Sequence, residues 1–133
     1  YRVGDGEGIL VVEDDAATRE LLTRTLQKGG WKVREAENGR VGLEQVAAEK
    51  PALVLLDLMM PELDGFGFME GLREMPGCDH VPVMVITAKD VTAADRERLN
   101  GQVCRVLQKA SVSPEQLLAE IRKLAGSNQD HTN

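Results

Sequence analysis

The sequence predicts a doubly wound α/β domain, a five-stranded parallel sheet with helices on both faces. Three observations lead there. Short apolar runs alternate with stretches of helical periodicity along the chain. Each run is continuous rather than alternating, so both faces of its strand must be covered. The length of 133 residues with 42% hydrophobic content suits one domain with one sizeable core.

The opening YRVGDGEG interleaves glycine with acidic residues, so residues 1–7 read as a flexible linker and the domain runs over 8–126. Ile9 to Val12 (ILVV) is the first strand, followed by Glu13-Asp14-Asp15 and a helix with Ala17, Leu21, Leu22 and Leu26 on its apolar face. Gly29-Gly30 stops that helix. Trp31 to Ala36 is the second strand, and Asn38 caps a helix bearing Val41, Leu43, Val46 and Ala47, which Pro51 ends. Ala52 to Leu56 is the most apolar strand. A loop with Pro61 and Asp64-Gly65 leads into a helix with Phe68, Met69 and Leu72, closed by Pro76-Gly77. Val81 to Thr87 is the fourth strand, Ala93 to Leu99 a weaker helix, and Cys104 to Gln108 the fifth strand. Ser113-Pro114 starts a last helix with Leu117, Leu118, Ile121 and Leu124, and residues 127–133 read as a disordered tail.

For this size the flavodoxin-like strand order 2-1-3-4-5 leads, and in such sheets ligands bind beyond the carboxyl ends of the strands, at the switch between strands one and three. The chemistry is concentrated at those ends. Glu13 and Asp14 follow strand one, Asp57 follows strand three, Thr87 ends strand four and Lys109 follows strand five. Three carboxylates at one rim repel each other unless a cation neutralises them. Mg²⁺ fits, with Mn²⁺ as a substitute: a hard ion that takes one or two carboxylates, here Asp14 and Asp57, with Glu13 reached through water. Beside such an ion, Asp57 can attack an electrophilic phosphorus, Lys109 can neutralise the developing charge and Thr87 can donate to a phosphoryl oxygen.

Glu13-Asp14-Asp15, the run from Asp57 to Pro61 with Asp64-Gly65, Thr87-Ala88 and Lys109 together resemble the motifs of the response-regulator receiver domain of two-component signalling. The resemblance implies Asp57 as phosphoacceptor, Glu13 and Asp14 as the acidic pair, Lys109 as the phosphate-binding lysine, Thr87 as the switch hydroxyl and the Met59 carbonyl as a further metal ligand. It implies a histidine kinase or histidine phosphotransfer domain as donor and a phosphorylation-dependent homodimer as one outcome. Two features depart from the family. Ala110-Ser111 stand where a proline and an aromatic usually follow the lysine, and Val106 is nearest to the place of the strand-five aromatic. The segment from Asn100 to Ser111 also resembles receivers attached to hybrid histidine kinases.

Composition excludes several other classes. A net charge of -6 argues against direct nucleic-acid or anionic-membrane binding, and 3% aromatic content leaves no base-stacking platform. Apolar runs are too short for a membrane span, and Cys78 and Cys104 read as reduced thiols, which fits a cytoplasmic chain. Asp15 and Asp64 read as helix caps, and His80 and His131 as surface residues. A flavin carrier on the same fold would need a phosphate loop where Glu13-Asp14-Asp15 stand. An Asp-based phosphatase would need an acid where Met59 stands. The main alternative is a pseudo-receiver, an interaction module without phosphotransfer.

Overall fold

Ile9–Val12 forms β1 with all four side chains at 0% exposure, as expected of a tetrapeptide with no polar side chain to solvate. The computed structural model describes residues 8–60, 63–78, 80–88, 90–99, 103 and 105–130, the last six by backbone alone. From β1 the elements continue as α1 (Ala16–Lys28), β2 (Val33–Ala36), α2 (Gly39–Ala48), β3 (Leu53–Leu56), α3 (Gly65–Glu74), β4 (Val83–Thr87), α4 (Ala93–Leu99), β5 (Arg105–Gln108) and α5 (Pro114–Asp130). The sheet order is β2-β1-β3-β4-β5 and every neighbouring pair is parallel, so the expected flavodoxin-like winding holds.

Strand periodicity divides the core between two layers. Leu10, Val12, Val54, Leu56, Val83 and Val85 face one way, onto Val46 of α2, Phe68 and Leu72 of α3 and Leu99 of α4. Ile9, Val11, Leu53, Leu55, Met84 and Ile86 face the other, onto Leu22 and Leu26 of α1 and Leu117 and Ile121 of α5. A sheet clamped this way holds its carboxyl ends rigidly, and that rigidity sets the site.

The expected caps are in place. Asp15, Asn38 and Asp64 accept from the amides of Thr18, Val41 and Gly67 at 2.9, 2.8 and 2.9 Å. Ser113 and Gln116 form a reciprocal capping box at the start of α5, with bonds of 3.1 and 2.8 Å. Gly30 takes φ +94 after α1, a conformation that glycine adopts freely.

Boundaries differ at several elements. β4 begins at Val83 rather than Val81, because Pro82 has no N–H for the ladder and offers only its carbonyl, to Val54 at 3.0 Å. β2 and β3 likewise start late, at Val33 and Leu53. β5 begins at Arg105, and Cys104 lies outside the described residues. Helix α5 runs on to Asp130, so residues 127–130 are helical where an irregular tail was expected. Residues 131–133, including His131, and the linker 1–7 lie outside the description, as do Pro61, Lys89 and Asn100. Leu21, expected on the apolar face of α1, is 59% exposed. No helix among the described residues is long and apolar enough to cross a membrane.

Candidate functional site

The carboxyl ends of the strands are held by hydrogen bonds that carry the ladders one residue further. Glu13 N–H donates to the Ala36 carbonyl at 3.0 Å, Asp57 N–H to Val12 at 3.1 Å and Lys109 N–H to Thr87 at 2.9 Å. Three of the expected residues are therefore fixed by the sheet itself. Thr87 closes β4 at 0% exposure, paired in register with Gln108.

The side chains converge as the sequence requires. One oxygen from each of Glu13, Asp14 and Asp57 lies within 4.8 Å of the others. Glu13 and Asp57 are 1% and 3% exposed, whereas Asp14 is open to solvent. The Lys109 Nζ bridges the two buried acids, 2.7 Å from Glu13 Oε1 and 3.1 Å from Asp57 Oδ2. The other oxygens are held by backbone amides, Glu13 Oε2 by Asp15 at 3.0 Å and Asp57 Oδ1 by Met59 at 3.1 Å.

Burial pushes the Glu13 carboxyl above its ordinary pKa, and the Asp57 charge adds to the rise; Lys109 and the Asp15 amide oppose it without cancelling it. Burial alone would lower the Lys109 pKa, but hydrogen bonds to Glu13 and Asp57 outweigh it and raise the ammonium above its usual value. Asp15 is lowered by its Thr18 hydrogen bonds, consistent with capping rather than with chemistry.

The donor set fits a hard divalent cation. Three carboxylates, two of them buried, converge with one ammonium on two of them, an all-oxygen set with excess negative charge. Met59 presents its amide to Asp57, and its side chain is 58% exposed at the rim.

Sequence reasoning missed Arg19. Its Nη1 donates to the Glu13 carbonyl at 2.8 Å and to the Asp14 carbonyl at 3.4 Å. The available signal was a basic residue one helical turn beyond the Asp15 cap, a spacing that brings its side chain back over the preceding loop. A groove of about 200 Å³ also opens beside Lys109, between α1 and the start of α5, lined in part by Leu21, Leu22, Val112 and Leu117.

Comparison with known proteins agrees with this geometry. Residues 9–122 match the family model described as the response regulator receiver domain. The response regulator MprA of Mycolicibacterium vanbaalenii is 40% identical over 116 residues, 87% of this chain and 49% of that protein. The chain thus spans about half the length of the curated relatives it matches. The N-terminal domain of a response regulator receiver protein from Methanoculleus marisnigri superposes with a TM-score of 0.71 at 30% identity, over 86% of this chain and 93% of that one. The receiver domain of a signal transduction histidine kinase from Syntrophus aciditrophicus gives 0.78 at 25% identity, over 90% and 91%. By sequence, by fold and by the composition of its rim, this chain belongs to the response regulator receiver domain family of two-component signalling.

Proposed function

We propose that Asp57 accepts a phosphoryl group from a phosphohistidine donor in a Mg²⁺-dependent reaction, and that the phosphorylated domain relays the signal by a change of conformation. The observation that carries this reading is the convergence of the Glu13, Asp14 and Asp57 oxygens within 4.8 Å, with Lys109 bridging two of the three residues.

In the transfer, an Asp57 carboxylate oxygen forms the new P–O bond while the P–N bond to the donor imidazole breaks and its electron pair leaves with the nitrogen. Bound Mg²⁺, or Mn²⁺ in its place, would supply charge neutralisation for the incoming phosphoryl oxygens. Asp14, Asp57 and the Met59 carbonyl are the proposed direct ligands, and Glu13 acts through water. Lys109 moves from the Asp57 carboxylate to a phosphoryl oxygen, and Thr87 donates its hydroxyl to another.

The donor is a histidine kinase or histidine phosphotransfer domain, and the groove beside Lys109 with exposed Leu21 offers it an apolar surface next to the rim. The net charge of -6 supports a domain that does not itself contact nucleic acid, and a cytoplasmic setting suits a partner of this class. A phosphorylation-dependent homodimer is the proposed readout. Attachment to a hybrid kinase has the Syntrophus aciditrophicus neighbour in its favour, while the curated relatives are response regulators.

The test is incubation with a small phosphodonor and Mg²⁺, followed by intact mass. Wild type is expected to gain one phosphoryl group that Asp57→Asn and chelator both abolish. A gain that survives Asp57→Asn overturns the assignment.

A further inference from the structure

We infer that Arg19 is a positioning residue for the metal site, setting the β1–α1 turn so that Glu13 and Asp14 present their carboxylates to one ion. This rests on the reading of the rim as a Mg²⁺ site. The guanidinium donates to the backbone carbonyls of the two acids. Its Nη1 lies 2.8 Å from the Glu13 carbonyl and 3.4 Å from that of Asp14. The side chain is 19% exposed and is itself braced, with Nε 3.9 Å from Glu35 Oε1 on β2. Glu35 is in turn held through Oε2, which accepts from the Thr23 hydroxyl at 2.6 Å.

Glu13 is consequently pinned at three points. Its N–H is tied to Ala36 at 3.0 Å, its carbonyl to Arg19 at 2.8 Å and its Oε2 to the Asp15 amide at 3.0 Å. Asp14 is exposed and follows the last ladder bond, and its backbone carbonyl accepts a hydrogen bond from Arg19. A planar guanidinium presents its donors in a fixed fork on one rigid plane, whereas an ammonium is a point charge on a flexible stem and loses more freedom in making the same contacts. Outer-shell partners of this kind commonly alter metal affinity by about 10- to 100-fold.

Charge alone predicts the opposite result, and that makes the inference testable. A cation near a cation site weakens binding, so a bystander Arg19 would leave Mg²⁺ bound more tightly on removal. The measurement is Mg²⁺ titration by calorimetry on wild type, Arg19→Lys and Arg19→Met, with urea unfolding in chelator as the folding control. Positioning predicts a Kd raised about tenfold or more in Arg19→Met and by a smaller factor in Arg19→Lys, which keeps the charge. Arg19→Lys should unfold in chelator at the wild-type urea concentration. A Kd at or below wild type in Arg19→Lys overturns the role of Arg19, whatever Arg19→Met does. If wild type itself takes up no Mg²⁺, the reading of the rim fails instead, and the two failures are distinguished.

Discussion

Lys109 and Glu13 pull the resting rim in opposite directions. The ammonium is held charged by its two carboxylate partners, whereas burial favours a proton on Glu13. A carboxyl whose folded pKa is raised contributes its stability below its unfolded value and loses it as pH rises through the folded one. In chelator, stability should therefore fall as pH rises through the Glu13 titration, and Glu13→Gln should remove that slope in urea unfolding. Mg²⁺ binding should show the reverse sign, weakening as acid protonates Glu13 above the ordinary carboxylate range, readable by calorimetry across pH. Met59 is proposed to govern a different property. Its side chain is 58% exposed beside Asp57, and an apolar group there cannot orient an attacking water. The aspartyl phosphate should last minutes or longer, followed by mass, and Met59→Asn should shorten it.

At the scale of elements, the start of α3 rests directly on the Asp57–Leu58 backbone. A Cβ at Gly65 would fall 2.6 Å from the Leu58 Cα and 2.7 Å from the Asp57 carbonyl oxygen, and backbone cannot move aside as a side chain can. Gly65→Ala should cost about 1–3 kcal/mol in urea unfolding and also slow phosphorylation, since the displaced segment carries Asp57. Gly30→Ala is the contrast: nothing lies within 4 Å, but φ is +94, so it should cost roughly 1–2 kcal/mol with phosphorylation untouched. Gly65 thus lets α3 approach the segment after β3, Gly67 lies against the Leu63 side chain and Gly71 against Leu43 of α2, consistent with their failure to match a dinucleotide fingerprint. Further along, the Arg98 guanidinium sits 3.9 Å over the Phe66 ring, tying α4 to this same turn.

For the molecule as a whole, loading the rim should stabilise the fold by mass action. At a Mg²⁺ concentration of 100 times Kd the gain is about 2.7 kcal/mol, seen as a shift in urea unfolding that chelator reverses. The architecture and the rim were legible in the sequence for one reason. A strand buried on both faces must be apolar throughout, so Glu13 and Asp57 stand out where ILVV and LVLL end. What escaped reading was what local pattern does not encode. Arg19 acts through a contact that folds back from α1 onto a loop, and Leu21 is exposed because α1 shares its apolar stripe between the sheet and a groove. Helix α5 outruns its apolar periodicity because backbone hydrogen bonding can propagate a helix beyond the last apolar position of the sequence.

The Lys109 bridge has a further consequence for how often the site can be used. With Nζ 2.7 Å from Glu13 and 3.1 Å from Asp57, the domain carries an internal counter-ion between its two buried acids. The ammonium offsets part of the repulsion between the two buried carboxylates and so favours the closed sheet. Repeated loading and stripping of the rim should therefore leave the fold intact, with the rearrangement confined to side chains.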